Sequence, residues 1–151
     1  MSLFNNIEKP IGIASDHAGF KAKQYILGVL KEKGIPCKDF GAYSEESTDY
    51  ADYAHPLALS VEKGECYPGI AICGSGNGIN MTVNKHQGIR AALCWTPDLA
   101  FLARSHNDAN VLSMPGRLLT EEEMYEILVV FLNTPFEGGR HLRRINKIPC
   151  R

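Results

Sequence analysis

The chain has 151 residues, 44% of them hydrophobic, and its sixteen basic and seventeen acidic side chains leave a formal net charge of −1. That length supports one domain with a proper core and is short for two, and the charge balance offers no general field to attract nucleic acid or an anionic membrane. The N-terminal MSLFNNIEKP lacks the charged start and apolar run of a signal peptide, and no stretch approaches the roughly 20 apolar residues that span a bilayer, so a cytoplasmic location is expected.

Residues 11–15, IGIAS, read as a strand. The segment 20–34 has helical spacing at Phe20, Ile26, Leu27 and Leu30, basic residues late, and Gly34 as its stop. PCKDFG (36–41) reads as a short strand, followed by a polar loop and a helix through Leu57, Leu59 and Val61 to Gly64. GIAIC (69–73) is a third strand, and a helix starts at GINMTVNK (78–85) with its amide end toward the glycine-rich turn between them. IRAALCW (89–95) is a fourth strand. Pro97 suits the first turn of the next helix, PDLAFLARSHN, because it lacks only a donor that would go unpaired there. ANVLSM (109–114) is a fifth strand, and TEEEMYEILVVFLN (120–133) a helix capped by Thr120 with Glu123 completing a capping box. A tail helix, GGRHLRRINK, closes the chain.

Five strands alternating with helices, with no repeat and no low-complexity linker, predict one domain over 1–151. Its expected architecture is a three-layer α/β/α sandwich on a five-stranded parallel sheet, Rossmann-like, with a C-terminal helix. Open sheets of this kind bind ligands beyond the carboxyl ends of their strands. The segments DHAG (16–19), CGSGNG (73–78), CWTPD (94–98) and MPGR (114–117) should therefore meet along one edge.

CGSGNG carries the strongest local signal. A dinucleotide fingerprint needs G-x-G-x-x-G after the first strand and an acidic residue about 20 positions on, and a triphosphate loop needs G-x-x-x-x-G-K-[ST]; neither spacing is present. What remains is a nest of amides from Gly74 to Gly78 at a helix N-terminus, able to stabilise charge on a nearby oxygen. A tight turn without a ligand would use the same glycines. Cys73 sits beside this nest, a setting in which a thiol becomes a usable base or nucleophile. Cys94 also ends a strand at that edge but lacks the nest, and Cys37 and Cys66 read as small apolar side chains. The five cysteines, Cys150 included, contain no C-x-x-C pair, and the five histidines contain no H-x-x-x-H or H-E-x-x-H spacing. Reduced thiols and no dedicated metal site are expected.

In order along the chain, SDHAG (15–19), DFG (39–41), STDYADYA (47–54), ICGSGNGIN (72–80), NKHQGIRAALC (84–94), SHNDANVLSMPGR (105–117) and EGGRHLRRI (137–145) resemble one family. It is that of the type B ribose-5-phosphate isomerases and their relatives acting on galactose 6-phosphate and allose 6-phosphate. The resemblance implies an aldose–ketose isomerase that opens a sugar-phosphate ring and moves a proton between C2 and C1 through an enediolate, with no cofactor. By the same resemblance Cys73 is the base, and Gly74, Ser75, Gly76, Asn77 and Gly78 form the anion hole. Ser75 replaces a frequent threonine and keeps the hydroxyl. His106 opens the ring, since imidazole can move a proton to the ring oxygen, with Asn107 beside it as a substrate ligand. Asp16 and His17 line the sugar and phosphate site, and Tyr50 is a further site residue.

Arg140 and Arg144, four apart and so on one helical face, are expected to meet the phosphate with Arg117 nearby, because guanidinium forks suit phosphate oxygens. Arg143 faces elsewhere. Read without the resemblance, His106 is a polar surface residue, Tyr50 a partly buried loop aromatic and RHLRR a solvated basic face; His141 either lines the site or caps a turn. Asn80 and Met81 depart from the small or apolar residues usual there, which bears on pocket size. A pentose 5-phosphate is the expected substrate, a hexose 6-phosphate the alternative, and a non-catalytic sugar-phosphate-binding module the competing class. The partner expected is a small-molecule sugar phosphate, with no nucleic acid and no membrane. The resemblance also implies a homodimer whose sites draw on both chains, with a tetramer as the alternative.

Overall fold

A computed structural model provides the structure of the chain and describes residues 7–150, so most of the N-terminal stretch read above for a leader lies outside the described residues. The strands are β1 (Ile11–Ser15), β2 (Cys37–Asp39), β3 (Gly69–Cys73), β4 (Ala91–Leu93) and β5 (Val111–Pro115). The helices are α1 (Phe20–Glu32), α2 (Tyr50–Glu62), α3 (Asn77–Val83), α4 (Pro97–Ser105), α5 (Glu121–Asn133) and α6 (Arg140–Ile145). All pairings are parallel and the order is β2-β1-β3-β5-β4.

The three central strands are buried along their whole length, as continuous apolar runs require in a sheet covered on both faces. Side-chain alternation divides the core in two. Ile70 and Ile72 of β3 join Ile26 and Leu30 of α1, Ala100 and Ala103 of α4 and Ile127 and Phe131 of α5 on one face. Ala71 and Cys73 join Leu57 and Ala58 of α2 and Ile79 and Val83 of α3 on the other. The expected three-layer sandwich is the observed one. Thr120 accepts from the Glu123 N–H while the Glu123 carboxylate accepts from the Thr120 N–H, completing the capping box expected at α5.

Two expectations need correcting in extent. The second and fourth strands pair over three residues only, because both are edge strands with a neighbour on one side. Leu59 is exposed rather than core-facing, since the buried face of α2 runs through Ala54, Leu57, Ala58 and Val61 at helical spacing.

The connection after β3 leaves toward one face, whereas those after its neighbours β1 and β5 leave toward the other. A crevice therefore opens at the carboxyl end of β3, where such sheets receive ligands.

Candidate active site

Cys73 is the last residue of β3, at that crevice, and its side chain belongs to the α2/α3 face. The following turn is locked to the end of β5: the Cys73 carbonyl accepts from the Gly116 N–H (2.9 Å) and the Gly74 carbonyl from the Arg117 N–H (3.1 Å). Gly76 takes φ +79°, and a Cβ there would lie 2.5 Å from Leu93 Cδ1 and about 3 Å from the Met114 carbonyl, so only glycine fits. Ser75 Oγ accepts from the Asn77 N–H (3.2 Å), which holds the turn open as it enters α3. The Tyr50 ring lies against Gly78, on the start of α3, where a Cβ would collide with it.

Asp16 is buried at the end of β1, and its Oδ1 accepts from the Gly19 N–H (3.0 Å). His17 is held at two points by Thr48, donating its N–H to Thr48 Oγ1 (3.0 Å) and accepting at Nδ1 from the Thr48 N–H (3.1 Å). With Nδ1 an acceptor, the neutral ring carries its proton on Nε2. The Arg117 side chain passes Gly74, its Cδ 3.5 Å from where a Cβ would stand, and lines a cavity of about 440 Å³ with His17, Ala18, Lys21, Glu45 and Gly116. Thus Asp16, His17, Tyr50, Cys73 to Gly78 and Arg117 come together in one chain.

Cys94 does not join them. It follows β4 in the opposite half of the core, its thiol donates to the Ala92 carbonyl (3.7 Å), and burial pushes that thiol up to about 12. It stays protonated at neutral pH and cannot act as a base. Burial, with smaller contributions from Asp39 and Cys66, likewise pushes Cys37 up to about 11.

His106, Asn107, Arg140 and Arg144 lie elsewhere. His106 caps the C-terminus of α4, which returns across the sheet to the strands' amino ends. Arg90, just before β4, donates to the carbonyls of Asn107 and Asp108, and Asn110, just before β5, donates to the Arg90 carbonyl. A five-residue strand at about 3.3 Å per residue therefore puts about 16 Å between this group and Cys73. One chain thus holds the two groups at opposite edges of its sheet.

Glu137, which the sequence reading passed over, anchors the amino-edge group. Its N–H donates to the Ser105 carbonyl (3.0 Å), and its carboxylate stands 3.8 Å from His106 Nε2 and 3.6 Å from His141 Nε2. The two imidazoles stack with centroids 4.3 Å apart. Burial, then the neighbouring Arg140 and His106, hold His141 below the usual histidine range against the opposing pull of Glu137. Thr48 and Lys21 were also missed. Thr48 sits in STDYADYA and Lys21 just after SDHAG, so proximity to those motifs was the available signal.

An α/β sandwich with glycine-rich backbone amides and a thiol at its sheet's switch point has the donors that suit an anion and a group of the type that moves protons. A family model for ribose/galactose isomerase matches residues 11–148. Ribose-5-phosphate isomerase B of Escherichia coli is 44% identical over 140 residues, covering 93% of this chain and 94% of its own. Among solved structures, a ribose 5-phosphate isomerase of Thermotoga maritima superposes with a TM-score of 0.92 at 51% identity, covering 94% of this chain and 98% of that one. Ribose-5-phosphate isomerase B of Mycoplasma genitalium, solved with bound ribulose 5-phosphate, gives 0.89 at 43%, covering 93% and 94%. The chain belongs to the ribose/galactose isomerase family and is an isomerase. No helix among the described residues is long and apolar enough to cross a membrane.

Proposed function

We propose that the chain interconverts ribose 5-phosphate and ribulose 5-phosphate through an enediolate. The observation that carries this reading is Cys73 at the end of β3, directly beside the Gly74–Gly78 amides, in a chain 44% identical to a ribose-5-phosphate isomerase B. Cys73 moves the proton between C2 and C1. The amides, with Ser75 bracing the turn, hold the developing oxyanion, a contribution of about 3 kcal/mol for a well-placed donor. Asp16, His17 and Tyr50 line the sugar, and Arg117 faces the phosphate end.

His106 opens the ring, Asn107 binds the sugar, and Arg140 and Arg144 hold the phosphate, all from a second copy of the chain. The separation of about 16 Å within one chain supports this sharing. So do exposed Leu99 and Leu102 on one face of α4, with exposed Trp95 just before that helix; α4 carries His106 at its end, and this apolar surface suits burial against that copy. The functional unit is then a homodimer of one-domain chains.

The test is an isomerase assay over ribose, allose and galactose phosphates. Ribose 5-phosphate should be turned over best. The hexoses belong in the panel because Asn80 has a buried side-chain oxygen without a partner in α3, near the nest. Cys73→Ala should abolish turnover on every sugar and Cys94→Ala should keep it. An active Cys73→Ala protein, or equal loss in both variants, refutes the assignment. Turnover should also survive chelators.

A further inference from the structure

Among the described residues, one group of three side chains brings a ligand atom from each within 4.8 Å of the others: His106, Glu137 and His141. The chain His55–His86–Glu62 is a contrast. There His86 spends one nitrogen on His55 (2.8 Å) and the other on Glu62 (3.1 Å), so its donors point apart. In the trio the two Nε2 atoms and the carboxylate converge instead. His141 is 6% exposed, and its Nε2 is buried with no hydrogen-bond partner. A buried imidazole nitrogen left without a partner calls for an occupant.

We propose that His106, Glu137 and His141 form a site for a divalent transition ion of the zinc type, and that this ion reversibly inhibits the isomerase by capturing His106. The inhibitory half rests on the ring-opening role proposed for His106; the ion site does not. Two imidazoles and one carboxylate are an established ligand set for such ions, with a fourth position left to water. Bonds of about 2.0–2.2 Å in tetrahedral geometry place ligand atoms about 3.3–3.6 Å apart. His106 Nε2 stands 3.8 Å from Glu137 Oε2 and His141 Nε2 3.6 Å from Oε1, and the three ligand atoms lie within 4.8 Å of one another, so a turn of the carboxylate and a modest closure of the trio complete the set.

The backbone brings the trio together: Glu137 stands just before α6 and His141 in its first turn, and the Glu137 N–H is tied to the Ser105 carbonyl next to His106. His106 must splay from its stack, now at 17° between planes, so that both nitrogens point at one centre. Its partly exposed position at the end of α4 permits that swing. Arg140 and Arg144 oppose any cation here, and the two imidazole ligands favour nitrogen-preferring ions over the oxygen-preferring Mg²⁺.

The experiment uses Co²⁺ as a visible-absorption probe and Zn²⁺ in turnover assays, on full-length protein carrying Cys150→Ser to remove an exposed thiol. One Co²⁺ per chain should bind with a tetrahedral spectrum. Zn²⁺ should inhibit, chelator should restore turnover, and Mg²⁺ should do neither. Glu137→Gln and His141→Gln should each lose the Co²⁺ band and weaken Zn²⁺ inhibition at least tenfold, while Cys73→Ala keeps the band. Glu137 is half exposed, so its variant remains informative if His141→Gln fails to fold. A band that survives Glu137→Gln, a band lost in Cys73→Ala, or no Co²⁺ binding at all overturns the site and leaves the ring-opening role untouched. Binding at the trio with undiminished turnover overturns the inhibitory half, and with it that role.

Discussion

If each active site takes its thiol from one copy and its imidazole from the other, inactive variants should rescue one another selectively. Consider Cys73→Ala mixed with Asn107→Ala through reversible dissociation. In a mixed dimer, one site combines both lesions and the other combines Cys73 of one chain with Asn107 of its partner, both intact. Random pairing makes half the dimers mixed, each with one of two sites working, so turnover should recover to about a quarter of wild type. Arg117 supplies the control. Its side chain runs beside Gly74 of its own chain and its N–H donates to the Gly74 carbonyl, so it belongs to the same edge as Cys73. Cys73→Ala mixed with Arg117→Ala therefore leaves one lesion in every site of every mixed dimer, and nothing should be recovered. The assay is turnover of ribose 5-phosphate after co-refolding, with sedimentation to confirm mixed dimers. Recovery in the Arg117 mixture, or none in the Asn107 mixture, refutes the two-edge arrangement.

Arg140→Ala and Arg144→Ala should each lower kcat/KM by tens-fold, the loss of a charge-assisted phosphate contact of about 2 kcal/mol, while Arg143→Ala does little; steady-state kinetics on the three variants checks the pattern. Lys23 is fully buried and its ammonium lies 2.7 Å from both Asp39 carboxylate oxygens, so Asp39→Ala, which strands that charge, should cost about 3 kcal/mol in urea unfolding. Lys23→Met should cost clearly less, because the Asp39 carboxylate left behind is part-exposed and still accepts from the Gly41 N–H (2.8 Å). The raised Cys94 thiol keeps its proton in the folded chain up to about 12 but loses it from about 9 when unfolded. Its contribution is present below pH 9 and should be lost as pH rises toward 12, at up to about 1.4 kcal/mol per pH unit, and Cys94→Ala should flatten that fall in urea midpoints measured from pH 8 to 10.5.

What the sequence conveyed depended on whether a property was local. GIAIC, the capping box at Thr120 and the glycine turn are local, and each stands where the pattern put it. Strand length at the sheet edges was not, because it depends on having one neighbour rather than two. The same distinction divides the site. Residues after β1, β3 and β5 share a crevice because parallel strands end at one edge, so topology alone brings Asp16, Cys73 and Arg117 together. His106 follows a helix, and a helix between parallel strands must end at the other edge. The motif SHNDAN therefore lies remote from the nest in its own chain however strongly it suggests a catalytic role. Apolar patterning cannot reveal this, since Leu99 and Leu102 fit a helix packed against a partner as readily as one with a greasy solvent face. Edge position can: a residue required beside Cys73 but placed at the amino ends of β4 and β5 has to reach it from another molecule. The exposed row on the helix that carries His106 is the surface such a molecule would cover.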